Sequence, residues 1–143
     1  AAAPSSQGTS SGVTGVTVLE GKACVATDEK ARKEHIYFAF PENSPVRGLD
    51  KTVAIRVTYY SAGRPDDTFA IQYDSFYSND IEGKYRLTER VKKPTQRGWY
   101  TAVIECPRAR FQGGQNGKSD FRLTDLGDGE EAIAAVEVVE PLP

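Results

Sequence analysis

The sequence predicts an all-β fold, a two-sheet antiparallel β-sandwich of the jelly-roll kind. Three observations carry that expectation. Apolar residues recur at every second position along most of the chain, the period of half-buried strands. Clusters of Gly, Pro, Asn and Asp interrupt them at roughly the 8–12-residue spacing of sandwiches and barrels. No segment sustains a helical pattern beyond about two turns. A chain of 143 residues is most simply one domain around one core.

The elements follow in order. Residues 1–12, AAAPSSQGTSSG, are small and polar and cannot bury enough surface to offset the entropy of ordering them. With no Met anywhere in the chain, this stretch is expected to be a flexible linker or a processed N-terminal segment of a secreted multidomain protein. The folded domain is expected over 13–143. Val16 and Val18 alternate, Glu20-Gly21 turns, and 23–26 returns. The charged run 28–34 is a loop or a short helix. In 35–40, Ile36, Phe38 and Phe40 share one face, and two prolines and a glycine then make 41–50 a loop.

The clearest strand is 52–60, with Val53, Ile55, Val57 and Tyr59 on one side. SAGRPDD turns the chain into 68–74, where Phe69, Ile71 and Tyr73 alternate. A polar loop over 75–84, a strand over 85–91 and a turn over 92–98 lead to the strand that starts at Trp99. A Gly/Asn-rich crossing, a strand over 120–124, a Gly-Asp-Gly turn and a final strand complete about nine short strands.

Charge and composition narrow the function. Lys plus Arg number 18 against 20 Asp plus Glu, a net charge of −2, which argues against a nucleic-acid binder with its basic stripe. No apolar run approaches the roughly 20 residues of a membrane-spanning helix. No G-x-S-x-G elbow, H-E-x-x-H pair or phosphate loop occurs. His35, the sole histidine, stands at a strand start with no nucleophile motif near it and is expected to be structural. No pair of carboxylates is singled out for glycoside hydrolysis. The domain is therefore expected not to be an enzyme.

Cys24 and Cys106 are the two cysteines. They are either a disulfide between strands or two buried thiols, and only their separation decides. A Ca²⁺ site would draw on acidic groups at strand ends and turns, with Glu20, Asp28 and Glu137 as candidate ligands beside Asp125 and Asp128. Against it, DLGDGEE lacks EF-hand spacing and is also an ordinary solvated turn.

The aromatics are the more informative signal: seven Tyr, six Phe and one Trp. Tyr59-Tyr60 and Trp99-Tyr100 each place one ring inward and one outward. Phe76 and Tyr77 lie in a polar loop with Asp74, Asn79 and Asp80. A ring beside carboxylate and amide groups suits a pyranose, whose C–H face it covers while the polar groups take the hydroxyls. Inward anchoring of the loop is the competing role, stronger for Phe76 than for Tyr77.

YDS at 73–75, GWYTAVIECPRARF, and GGQNGKSDFRL followed by AIAAVEVV together resemble the galactose-binding-like jelly-roll modules appended to secreted bacterial glycoside hydrolases. The resemblance spans about 16–139. It implies a secreted or cell-surface, non-catalytic carbohydrate-binding module, joined to the catalytic domain of a larger parent protein and often holding a structural Ca²⁺. Such modules bind polysaccharide or oligosaccharide through end loops, here 61–68, 75–84 and 112–119. The candidate ligand residues are then Tyr77, Asn79, Asp80, Arg64, Asp67 and Asn116. Phe121 and Leu123 would face the core, with Asp120 and Arg122 opposite and one of the two bracketed to the Arg110 turn by an ion pair or hydrogen bond. The alternatives are a structural or protein-interaction domain packed on a catalytic partner without binding sugar, and a lyase or hydrolase with a deep carboxylate-lined cleft.

Overall fold

The computed structural model describes residues 5–7, 16–26, 35–126 and 131–139. Its strands are β1 (Ser5–Gln7), β2 (Val16–Leu19), β3 (Lys22–Ala26), β4 (His35–Ala39), β5 (Lys51–Ser61) and β6 (Thr68–Tyr73). After a short helix α1 (Ile81–Lys84) come β7 (Arg86–Leu87), β8 (Val91–Lys92), β9 (Gly98–Ala109), β10 (Phe121–Thr124) and β11 (Ala132–Val138). One sheet has the order β1-β4-β10-β6-β7, with β8 also paired to β6; the other has the order β2-β3-β11-β5-β9. All recorded strand pairs are antiparallel. From β3 onward the chain changes sheet at most connections, so that β3 lies beside β11 and β4 beside β10. That interleaving is the wrapped order of a jelly roll.

The period-two pattern explains the core. Val53, Ile55, Val57 and Tyr59 of β5 point inward with Ile104 and Cys106 of β9, and meet Ile36, Phe38, Ile71, Phe121 and Leu123 of the facing sheet. Phe38 stacks on Phe121 with centroids 5.0 Å apart, and Phe111 and Phe40 close the end of the core. Tyr60 and Trp99 point outward as the alternation requires. They pack edge to face at 5.4 Å in a small outer cluster with Cys24 and Ala132. The Trp99 indole N–H donates to the Leu19 carbonyl at 3.1 Å, fastening the β2–β3 hairpin to β9.

Several expectations are corrected. Cys24 and Cys106 are free thiols. β3 and β9 are separated by β11 and β5, roughly 14 Å at strand spacing, and the two side chains lie on opposite faces of their sheet. No bridge can span that. Residues 5–7, within the stretch expected to be linker, pair in register with Tyr37, Phe38 and Ala39; backbone pairing at a sheet edge needs no large side chain. The strand expected over 85–91 is two short pieces, and its approach contains α1. The run 28–34 lies outside the described residues.

Candidate functional site

Two buried carboxylates fix the pole of the sandwich where the 41–50, 74–85 and 110–120 segments meet. Asp74 follows β6; its Oδ2 accepts the Gln112 and Gly114 amides at 3.0 Å each, and its carbonyl accepts the Arg110 and Phe111 amides. Asp120 precedes β10; its Oδ1 accepts the Gly113 amide at 2.8 Å and its Oδ2 the Phe40 amide at 2.7 Å. Arg47 completes it, with Nη1 at 3.0 Å from Oδ2. Burial raises the Asp120 carboxyl above the usual range, while the two amides and Arg47 pull the other way. The bracket between Asp120 and the Arg110 turn is therefore the Gly113 amide bond; the Arg110 side chain itself lies 3.8 Å from Asp74, and the ion pair of Asp120 is with Arg47. The crossing is thereby held by its backbone.

The loop after β6 is shaped as tightly. Ser75 donates its hydroxyl to the Gly83 carbonyl at 2.6 Å. Asp80 caps α1, its Oδ1 accepting from the amides of Glu82 at 3.0 Å and Gly83 at 3.3 Å and from the Ser78 hydroxyl. That bonding holds the Asp80 carboxyl below its usual range. Asp80 is thus a helix cap of the loop, with Asn79 exposed beside it.

Tyr77 is 42% exposed. The Arg86 guanidinium lies over its ring, 4.1 Å from the centroid, and that of Arg108 lies at 5.5 Å. Arg108 is gripped by Asp50 through two bonds of 2.9 and 3.1 Å. Arg86 has no carboxylate within salt-bridge distance among the described residues. From Tyr77 a groove of about 490 Å³ runs between the edges of the two sheets. One wall is Arg86 to Val91; the other is Val103, Ile104, Glu105 and Pro107 of β9, with Tyr73 at the base. The Tyr73 hydroxyl donates to the Pro107 carbonyl at 2.6 Å, and burial raises its pKa.

A second arginine–tyrosine stack lies on the outer face of the β1-β4-β10-β6-β7 sheet. Arg122 sits 4.3 Å from the Tyr85 ring centroid, donates from Nε to Gln72 and from Nη1 to the Tyr37 hydroxyl, each at 2.7 Å. The Asn116 amide donates to the Tyr85 hydroxyl at 3.0 Å. Tyr85 and Arg86 are neighbours, so the start of β7 serves both stacks. His35, at the start of β4, is held down to about 4 by burial and by Arg122, leaving it neutral near pH 7.

The structure divides the six sequence-derived ligand residues. Tyr77, Asn79, Asp80 and Asn116 are at one pole; Arg64 and Asp67 are at the other, roughly 17 Å away along β6. Arg64 is exposed there. Asp67 is buried, 3.2 Å from the Lys93 ammonium, which also lies 2.6 Å from Glu131. Burial pushes Glu131 up to about 9 against the pull of Lys93, with Asp67 and Asp125 adding to the rise. Of the proposed calcium ligands, Glu20 lies beside the Tyr60 hydroxyl and raises its pKa. Glu137 faces Arg56 at 3.9 Å, roughly 13 Å from Tyr60 along β5. Asp28 and Asp128 lie outside the described residues. Among the described residues no group of three or more acidic, His or Cys side chains could hold a metal. Arg86 and Arg122 are the contributors sequence reading missed. Tyr85 and Arg86 follow directly on α1, for which the Asp80 cap was the available signal, whereas Arg122 is placed in β10 by its register opposite Gln72.

No helix among the described residues is long and apolar enough to cross a membrane. No family model matches the chain, and no curated protein matches it. Among solved structures, the chain is similar to the K1 cleaved adhesin domain of Lys-gingipain from Porphyromonas gingivalis W83, at 12% identity and TM-score 0.50, over 87% of this chain and 78% of that one. It also matches the K3 cleaved adhesin domain of the same protein at 13% identity and TM-score 0.49, over 86% and 76% of the two chains. At this identity the K1 match shows a shared β-sandwich fold.

Proposed function

We propose that this chain is a non-catalytic glycan-binding module of a secreted or cell-surface protein that acts on polysaccharide, and that its site is the groove beginning at Tyr77. The observation that carries the reading is one exposed tyrosine ring at the mouth of a 490 Å³ groove walled by Arg86, Glu89, Arg90 and Glu105. A ring edge and fork-shaped or carboxylate hydrogen-bonding groups together suit sugar hydroxyls and C–H faces. The K1 chain is named as an adhesin domain of a larger protein, which accords with an accessory role. Affinity electrophoresis through gels holding individual polysaccharides tests the proposal. Tyr77→Ala should weaken retardation about tenfold, the scale of one lost aromatic contact, while Arg64→Ala at the far pole should not change it.

A protein-interaction domain is the second reading, and β9 favours it. Val103, 56% exposed, lies on this edge strand, facing the groove with Leu87, itself 46% exposed. Retention on no polysaccharide would move the assignment to that reading.

A further inference from the structure

Resting on the glycan reading, we infer that the groove selects an acidic sugar, whose carboxylate or sulfate is received by the Arg86 guanidinium. The position of Arg86 decides between acidic and neutral ligands. Its guanidinium lies over the Tyr77 ring, 4.1 Å from the centroid, and so occupies one of the two faces on which a neutral pyranose could stack. A neutral sugar stacking on that face must push the cation aside and give up the cation–π contact. An acidic sugar needs no such displacement, because a guanidinium held over a ring by its central carbon keeps N–H donors free to meet an oxyanion at the ring's rim. Those donors match the paired oxygens of a carboxylate or sulfate.

The charges around the ring agree. Arg108 is the other cation near Tyr77, and Asp50 already binds both arms of its fork. Arg86 has no carboxylate within salt-bridge distance among the described residues. It is therefore the cation at the ring left with its fork open. Farther along the groove Arg90 stands with Glu89 and Glu105, so the positive excess is confined to the Tyr77 end. The groove thus offers one oxyanion seat next to a mixed-charge channel, an arrangement for a polymer with acidic groups on individual sugar units.

The test compares polymers that differ only in charge. The 143-residue chain is run through gels containing polygalacturonate, its fully methyl-esterified counterpart, dextran sulfate or plain dextran. Retardation by polygalacturonate and not by the ester identifies a carboxylate. Retardation by dextran sulfate and not by dextran identifies a sulfate. In either case Arg86→Gln should weaken binding about tenfold or more, the scale of one lost charge-assisted pair, and Arg86→Lys should recover part of it. Lys22→Gln, which removes the same charge from the β2–β3 hairpin, should leave binding unchanged. Equal losses in Arg86→Gln and Lys22→Gln would show general polyelectrolyte attraction and overturn the inference. Binding to a neutral polymer that needs Tyr77 but not Arg86 would overturn it too, while leaving the glycan reading intact. Retention on none of the four polymers, nor on any other, would overturn both. Unchanged thermal melting of Arg86→Gln confirms that the variant is folded.

Discussion

The Asp120 carboxylate accepts the Phe40 amide at 2.7 Å across 80 residues of sequence, joining the end of β4 to the start of β10. Its other oxygen holds Gly113 and its charge is met by Arg47. Asp120→Ala strands the buried Phe40 amide, the partly buried Gly113 amide and a guanidinium, so urea unfolding should show a loss of about 3 kcal/mol. A double-mutant cycle should give a measurable coupling for Arg47 with Asp120 and essentially none for Arg110 with Asp120.

Gly114 is required for a steric reason. A Cβ there would lie 2.6 Å from the Asp74 carboxylate, against which the Gly114 amide is bonded. Gly114→Ala must push the crossing off its anchor, and should lower stability by about 1–3 kcal/mol. The same denaturation experiment on Gly21→Ala separates packing from backbone strain, since nothing lies within 4 Å of that Cβ although the φ is positive.

Stability should fall as the pH rises from the ordinary glutamate range towards 9. Glu131 has its folded pKa raised from 4.5 to about 9. Below 4.5 the proton is bound in both states. Between the two values the unfolded chain gives it up while the folded chain retains it, so ionisation favours unfolding. Glu131→Gln should flatten this part of the stability profile, measured by urea melts across pH 5–9.

The two thiols should be silent to redox conditions. Cys106 is fully buried and its pKa is raised by burial; that of Cys24 is raised as well. Melting temperature should be the same with and without reductant, and a thiol reagent should titrate both cysteines only after denaturation. A reductant-dependent melting temperature would contradict the strand order that separates them.

The sheets were legible because each depends on a local regularity. Alternation in 52–60 and 68–74 settles which side chains enter the core, and the outward Tyr60 and Trp99 follow from the inward Tyr59 and Tyr100. The site was legible only in part. Tyr77 stood out as a ring in a polar loop, but Asp80 beside it caps α1 and Asp67 pairs with Lys93. A carboxylate that binds a ligand and one that holds a backbone look identical in sequence. Which arginine meets which carboxylate was illegible for the same reason: Arg47 reaches Asp120 from 73 residues away, and no local pattern encodes that distance.

The anchoring of the crossing has a practical consequence. Asp74 and Asp120 grip it almost wholly through amides of Gln112, Gly113 and Gly114. The exposed side chains of Gln112, Asn116 and Lys118 contribute little to that grip. Randomising Gln112 and Asn116, and Lys118 among residues that accept its left-handed φ of 59°, should yield folded variants in large numbers, which makes this pole a place where new recognition can be selected without rebuilding the sandwich.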